Sequence, residues 1–290
     1  MRTDQETLSL TVHEGILLVT LDRPEEMNSF TVQMADELEA TFQEVNDDDG
    51  VRAVVVTGAG KAFCAGMDLT AEGNVFGLDE SLTPTLEDMA DLDDPGLARV
   101  RDTGGRVALA IHACRKPVIA AINGAAVGIG ATMTLPMDAR LVSTKGRIGL
   151  VFGRIGITPE ATSSWFLSRI VGMPTALDLV YSADILGADD ALEAGLVRSV
   201  HEPDELLEAA FALADRWTKD RSPVATALTR QLMYRNAGLE HPADAHRVDS
   251  LAIFYASTGD GKEGVASFLE KRTPVYSGKA SQMPPFYAGW

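Results

Sequence analysis

Apolar residues near the start of the chain change from a strand pattern to a helical pattern. Residues 8–12 and 16–21 are short runs rich in β-branched and other apolar residues, and His13-Glu14-Gly15 separates them. This pattern predicts a tight β-hairpin. Between residues 31 and 46 the apolar positions recur at helical spacing, and the cluster Asp47-Asp48-Asp49-Gly50 follows. A helix that ends at this cluster is therefore expected after the hairpin.

Two later segments are continuous apolar runs that each lead into a loop of small residues. Residues 51–57 (VRAVVVT) precede Gly58-Ala59-Gly60, and residues 118–122 (VIAAI) precede the glycine-rich loop 123–130. Runs of this kind are typical of strands that are buried on both faces. We therefore expect two core strands, each ending in a loop that a ligand can approach closely.

The order of the remaining elements indicates an α/β fold with a helical C-terminal part. Short strands are predicted at residues 139–142 and 197–200, and helical patterns dominate from residue 204. We divide the chain into an α/β core at 1–203, a helical region at 204–273 and an extended arm at 274–290. The arm carries Phe286, Tyr287 and Trp290, which are suited to packing on another subunit.

Residues 71–105 have no clear periodicity and are rich in Asp, Glu, Gly and Thr. Long segments of this composition are often lids or mobile loops with a function. We expect this segment to be well solvated and to form part of a binding pocket.

Composition and charge exclude several classes of protein. Of the 290 residues, 46% are hydrophobic and 23% are charged, which is typical of a globular protein. The formal net charge of −17 opposes binding to nucleic acids and to anionic membrane surfaces. The two cysteines, and the lack of an apolar segment long enough for a signal peptide or a membrane span, predict a soluble cytoplasmic protein.

The two small-residue loops carry the candidate chemistry. Residues 61–69 (KAFCAGMDL) and 124–130 each follow a predicted strand and offer free backbone N–H groups at a turn. Two such groups aimed at one carbonyl oxygen would stabilise an enolate or a tetrahedral oxyanion. Loop composition alone, however, favours two ordinary tight turns, because isolated glycine-rich loops are weak signals.

The segment KAFCAGMDL followed by KPVIAAINGAAVGIGA resembles the paired signature of the crotonase (enoyl-CoA hydratase/isomerase) superfamily. Similar motifs occur at residues 21–24 (LDRP) and 267–272 (SFLEKR). The resemblance implies a ββα-repeat spiral core with a helical trimerisation region, assembled as a homotrimer or a dimer of trimers. It also implies an acyl-CoA substrate, with coenzyme A as part of the substrate and no permanently bound cofactor, and backbone N–H donors at Met67 and Ile129.

The catalytic carboxylates are where the sequence departs from the hydratases of this family. The two glutamate positions of those enzymes match Thr132 and Phe152, and a carboxylate, Glu160, follows eight residues after Phe152. Its surroundings resemble family members with a single catalytic carboxylate at this position, such as peroxisomal-type enoyl-CoA isomerases. The alternative is purely structural, with Thr158 as a helix N-cap, Pro159 as the first helical residue and Glu160 in the first turn.

Coenzyme A has phosphates that need local cations in so acidic a chain. The resemblance places cofactor contacts at Arg23, Lys61 and Ala65, and at Phe268 and Lys271 from a neighbouring subunit. Each charged side chain among them is also compatible with an ordinary surface position.

Three further residues have structural interpretations. Asp68 stands where an Asp of this family commonly starts the helix after the first loop, and we expect it to be structural, as a cap for that turn. Cys64 is expected to be a small core residue. His112 is expected to be an ordinary helical histidine. The five histidines and two cysteines show no metal-ligand spacing, so no metal site is predicted.

Isomerisation of an enoyl-CoA is the favoured function, because one carboxylate beside an oxyanion hole can move a proton between two carbons. The same site also suits a hydratase-like enzyme, an acyl-CoA hydrolase or a dehalogenase. A non-catalytic acyl-CoA-binding protein is the alternative from a different class.

Overall fold

The computed structural model of the protein describes residues 5–70, 73–92 and 94–290. The strands are β1 Leu8–His13, β2 Ile16–Leu21, β3 Ala53–Gly58, β4 Ala62–Cys64, β5 Val118–Ile122, β6 Ala125–Val127, β7 Ala139–Ser143, β8 Arg147–Gly149, β9 Ile185–Leu186 and β10 Ser199–His201. The α-helices are α1 Val32–Glu44, α2 Thr103–Ala113, α3 Ile129–Thr132, α4 Ser163–Val171, α5 Met173–Ser182, α6 Ala188–Glu193, α7 Leu206–Thr218, α8 Pro223–Asn236, α9 Pro242–Thr258 and α10 Asp260–Glu270. Within these described residues, no helix combines the length and apolar character needed to cross a bilayer.

The larger sheet has six strands in the order β1-β2-β3-β5-β7-β10. The predicted hairpin is confirmed, because β1 and β2 pair antiparallel with Leu8 opposite Leu21. The other neighbouring strands pair in parallel. The two predicted core strands, β3 and β5, are buried along their whole length.

The smaller sheet has the order β4-β6-β8-β9, and β4, β6 and β8 are parallel. Each of its first three strands directly follows a strand of the larger sheet and precedes a helix. The chain thus contains the units β3-β4-α2, β5-β6-α3 and β7-β8-α4. This repetition is the ββα core that the sequence resemblance implies.

The uninterrupted apolar sequence of β3 is explained by packing on both faces of the larger sheet. Val54 and Val56 belong to the main core, which also includes Phe42 of α1. Val55 belongs to a second buried cluster, formed with residues of α7 such as Leu213. A strand covered on both faces has no solvated side, so it shows no alternation of polar and apolar residues.

The segment that was predicted to be irregular up to residue 105 ends earlier in the structure. Its described part contains two short 3₁₀ turns, Asp88–Ala90 and Pro95–Leu97, and α2 already begins at Thr103. Asp102 caps this helix by accepting a hydrogen bond from the N–H of Gly104. The glycines at the start of α2 are typical of loops, and for this reason the predicted boundary was wrong.

The aromatic residues of the C-terminal arm pack on the same chain rather than extending from it. Phe286 stacks on Tyr255 of α9, with ring centroids 5.9 Å apart. The guanidinium of Arg235 in α8 lies 4.7 Å from the ring centroid of Trp290. Cation–π and stacking contacts therefore hold the arm against the C-terminal helices.

Candidate active site

The two small-residue loops lie next to each other, because β4 pairs in parallel with β6. Met67 follows β4, and Ile129 is the first residue of α3. Gly128, with a φ of 55°, makes the turn between β6 and α3, and this left-handed conformation favours glycine. The loops are therefore brought together at corresponding ends of parallel strands.

Both loops line a cavity of about 310 Å³. The carbonyl of Gly66 accepts a hydrogen bond from the N–H of Phe30 at 2.7 Å, and the N–H of Gly128 donates to the carbonyl of Gly149 at 2.9 Å. In the part of the chain that the structure describes, no backbone carbonyl accepts from the N–H of Met67 or Ile129. These two donors are therefore available to a ligand in the cavity.

Glu160 also lines this cavity, and it does not lie in the first turn of a helix. Residues 157–160 have no regular structure, and α4 begins only at Ser163. The structural interpretation with Thr158 as an N-cap is therefore wrong. Ala161 and Thr162 have φ values of 56° and 52°, so the backbone turns sharply directly after Glu160.

The carboxyl group of Glu160 lies between α3 and the start of α2. The hydroxyl of Thr132 donates a hydrogen bond to Oε1 at 2.5 Å. On the other side, a Cβ atom added at Gly104 would lie only 2.0 Å from Oε2. Glycine at position 104 is thus required for the close approach of Glu160 to α2.

Asp102 is a second carboxylate at the cavity that the sequence analysis missed. Its Oδ1 accepts from the N–H of Gly104 at 3.0 Å, and its Oδ2 accepts from the N–H of Ala161 at 2.6 Å. The available signal was an Asp in an N-cap position. That signal gives no indication of contact with a turn so far away in sequence.

The surroundings of Glu160 favour its neutral form. Desolvation of its carboxyl group, together with the negative charge of Asp102, raises the pKa of Glu160 to about 8, and the hydrogen bond from Thr132 opposes this shift. At neutral pH the group is therefore mainly protonated. A group with a pKa in this range can both release and accept a proton near neutrality.

The two positions where hydratases of this family carry glutamates lie at the same site. Thr132 is fully buried and contacts Glu160, as described above, and Phe152 lines the cavity. Apolar side chains form most of the remaining wall, including Phe76, Leu78 and Ile157. Among the described residues, the carboxylates that line the cavity are Asp102 and Glu160.

Arg23 is engaged within the chain rather than free. Its guanidinium contacts the carboxylate of Asp68 at 2.9 Å and also donates to the carbonyl of Ser29. Asp68 in turn accepts from the N–H of Thr70 at 3.1 Å. Hydrogen bonds from Thr70 and Arg23 lower the pKa of Asp68 to about 2. These hydrogen bonds cap the turn at residues 69 and 70, which agrees with the structural role expected of Asp68.

The other predicted coenzyme A contacts occupy two separate regions. Lys61 and Ala65 are exposed near the first loop, and Ala65 lines the cavity. Phe268 in α10 is 82% exposed, and Lys271 directly follows that helix. Neither of these two residues lines the cavity of its own chain.

A larger cavity, of about 930 Å³, lies among the C-terminal helices. It is lined by residues such as Trp217, Met233 and Tyr276, and by none of the predicted site residues. The described residues also contain no cluster of three or more His, Cys, Asp or Glu side chains that would suit a metal ion.

The sequence profile of the enoyl-CoA hydratase/isomerase family matches residues 11–279. The chain belongs to the enoyl-CoA hydratase/isomerase family. It is 39% identical to the enoyl-CoA hydratase ACTT3 of Alternaria alternata over 266 residues, which cover 91% of this chain and 83% of the relative. The 1,2-epoxyphenylacetyl-CoA isomerase of Escherichia coli is 31% identical over 92% of this chain and 97% of its own.

Solved structures agree with this family assignment. The crystal structure of an enoyl-CoA hydratase from Bacillus anthracis matches with a TM-score of 0.80 at 27% identity, covering 94% of this chain and 100% of that one. The protein is thus an acyl-CoA enzyme with a crotonase fold, and named relatives include both hydratases and an isomerase.

Proposed function

We propose that this enoyl-CoA hydratase/isomerase family member is an enoyl-CoA isomerase, which converts a 3-enoyl thioester to the conjugated 2-enoyl thioester. One observation carries the proposal. Glu160 lines a cavity together with Met67 and Ile129, whose N–H groups have no backbone acceptor among the residues that the structure describes. The hydratase glutamate positions carry Thr132 and Phe152, which cannot exchange protons with a substrate as carboxylates do.

The proposed reaction needs one base and one oxyanion site. The Glu160 carboxylate removes a proton from C2 of the thioester, and the electron pair of that C–H bond forms a dienolate. The N–H groups of Met67 and Ile129 donate to the thioester oxygen, where the negative charge develops. Glu160 then returns a proton to C4, the double bond moves to C2–C3, and the carboxylate is restored.

The acyl group is expected to be apolar. Phe76 and Leu78 from the segment before α2, together with Ile155 and Ile157 before Glu160, supply an apolar wall. An apolar group buried in this cavity is favoured by the hydrophobic effect. In this proposal, the irregular segment before α2 therefore helps to select the acyl group of the substrate.

The coenzyme A part is proposed to lie outside the cavity, near Arg23, Lys61 and Ala65. Phe268 and Lys271 are proposed to contact it from a neighbouring subunit of a homotrimer or a dimer of trimers. Their exposure in the single chain supports this arrangement. We propose a soluble cytoplasmic enzyme that requires no permanently bound cofactor.

Hydration of 2-enoyl-CoA is the second candidate, because several relatives at 39% identity are named enoyl-CoA hydratases. Incubation with 3-enoyl, 2-enoyl and aroyl thioesters, followed by chromatographic separation and mass spectrometry of the acyl products, separates the candidates. The proposal expects conjugated product of unchanged mass from the 3-enoyl thioester. If water is added to the 2-enoyl thioester and the 3-enoyl thioester does not react, the enzyme is a hydratase and the proposed isomerase activity is wrong.

A further inference from the structure

Asp102 connects the start of α2 to the turn that carries Glu160. Its two carboxylate oxygens have different partners, the N–H of Gly104 on one side and the N–H of Ala161 on the other. Ala161 directly follows Glu160, so Asp102 holds the backbone at the candidate catalytic residue.

The turn after Glu160 needs such support. Ala161 and Thr162 both have the left-handed backbone conformation, which is unfavourable for residues with a Cβ atom. The 2.6 Å hydrogen bond from Ala161 to Asp102 is one of the contacts that stabilise this turn. The N–H of Ser163 donates to the carbonyl of Glu160 at 3.0 Å and closes it.

The side chains of the two acids lie close together. Oδ1 of Asp102 accepts from the N–H of Gly104, and Oε2 of Glu160 lies against the same residue in the first turn of α2. A second carboxylate at this distance disfavours the charged form of Glu160. Asp102 is exposed at the rim of the cavity, whereas Glu160 is partly buried.

We propose that Asp102 is a positioning residue for Glu160, which fixes the strained turn after Glu160 and places a carboxylate beside the Glu160 carboxyl group. The inference rests on the proposed role of Glu160 and deepens it, because it names the residue that sets the position and surroundings of the Glu160 carboxyl group.

The other titratable groups around Glu160 do not replace Asp102 in this role. The thiol of Cys64 interacts with Glu160, but burial raises the pKa of Cys64 to about 12, so the thiol remains neutral. Arg154, from the turn before Glu160, is paired with Asp184 at 3.2 Å. Thr132 contacts Glu160 from α3 and carries no charge.

Titration of the carboxyl carbons by NMR in the substrate-free protein tests the proposal without any assay of turnover. In the wild-type protein, the Glu160 signal is expected to titrate at about pH 8, because burial and the neighbouring Asp102 raise its pKa. In Asp102→Asn the Glu160 midpoint is expected to fall by about one pH unit, as loss of a neighbouring negative charge requires. Glu160→Gln assigns the Glu160 signal.

Asp94→Asn is the matched control. Like Asp102, Asp94 accepts a hydrogen bond from the N–H two residues later, here that of Gly96 at 2.8 Å. It caps a 3₁₀ turn in the same segment. This variant should leave the Glu160 midpoint unchanged. If Asp102→Asn does not fold, hydrogen exchange of the Ala161 amide in the wild type decides, because its hydrogen bond to Asp102 should protect it. An Ala161 amide that exchanges as fast as an unbonded amide would overturn the proposal, and so would a Glu160 midpoint shared by the wild type and Asp102→Asn.

Enzyme kinetics provides a second measurement. The acid limb of kcat/KM is expected to move to lower pH in Asp102→Asn and to stay in place in Asp94→Asn. Absence of thioester turnover in the wild type would contradict the proposed function alone, because the titration still decides the role of Asp102.

Discussion

Two carboxyl groups near the loops of the cavity differ in their protonation. Asp68, one residue after Met67, contacts Arg23 and Thr70, and its pKa is lowered to about 2. Glu160 faces an apolar cavity and a second carboxylate, and its pKa is raised to about 8. Chemically similar groups are therefore ionised in one place and mainly neutral in the other at pH 7.

Neighbours in space, rather than residue type, therefore determine the role of each acid. A cation and hydrogen-bond donors keep Asp68 permanently charged, which suits an ion pair that holds the first loop. Desolvation and a like charge keep the proton of Glu160 exchangeable, which suits proton transfer.

Substitution of Glu160 should affect turnover far more than substitution of Asp68. Glu160→Gln is expected to lower kcat for 3-enoyl-CoA by about 10²–10⁴-fold, the usual contribution of a general acid/base, with little change in binding. Asp68→Asn keeps the size of the side chain and is expected to stay within about tenfold of wild type. Turnover assays and calorimetric binding of the thioester measure both. Equal losses of kcat in the two variants would show that Glu160 and Asp68 do not differ in their roles.

The pH dependence of kcat/KM should follow Glu160. A base must be deprotonated to act, so a raised pKa places the acid limb near pH 8, and kcat/KM should fall about tenfold per pH unit below it. Only half of Glu160 is deprotonated at pH 8, so the expected loss between pH 8 and pH 6 is about 50-fold. Asp68→Asn should keep this limb, whereas a limb near pH 4 in the wild type would indicate a different base.

Loss of the Thr132 hydroxyl should have a smaller effect. Its hydrogen bond lowers the pKa of Glu160, so Thr132→Val should raise that pKa further and reduce kcat/KM at pH 7 by a few-fold, about the effect of one hydrogen bond. Activity should recover at higher pH. Thr134→Val is a suitable control, because the Thr134 hydroxyl bonds to the carbonyl of Ala131 instead. A loss that is independent of pH would argue against this role for Thr132.

Stability should change with pH in opposite directions at the two acids. Glu160 has a folded pKa above its ordinary value of 4.5, so its protonated form favours folding below that value and this contribution is lost as the pH rises towards about 8. The Tm of Glu160→Gln relative to wild type should therefore increase by roughly a few degrees between pH 5 and pH 8.

Asp68 has a lowered folded pKa, so its carboxylate contributes stability above its ordinary value of 3.8, and this is lost as the pH falls towards 2. Asp68→Asn should therefore be less stable than wild type at neutral pH and approach it in acid. Thermal unfolding of both variants at several pH values measures these differences. Plots of Tm against pH that run parallel to the wild-type plot would contradict them.

Much of the fold was predictable because strong hydrophobic patterns dominate it. The runs at β3 and β5 indicated strands buried on both faces, and helical periodicity indicated α1. The family motifs also located the two loops that line the cavity. These features depend on residues that are close together in sequence.

The arrangement around Glu160 was less predictable, because it depends on contacts between distant segments. Thr158 and Pro159 have the residue types of a helix start, yet the backbone contacts of Ala161 favour a strained turn instead. Asp102 lies in a segment with no periodicity, and only the fold brings it to Glu160. Local propensity cannot show the long-range hydrogen bond between Ala161 and Asp102.

The central claim is that Glu160 removes the proton at C2 of the acyl group. A 3-enoyl-CoA with two deuterium atoms at C2 tests it directly, with NMR or mass spectrometry of the product. The account predicts that the wild type forms 2-enoyl-CoA with one deuterium left at C2, while Glu160→Gln leaves both in place on unreacted substrate. Removal of C2 deuterium by Glu160→Gln at the wild-type rate would contradict the account.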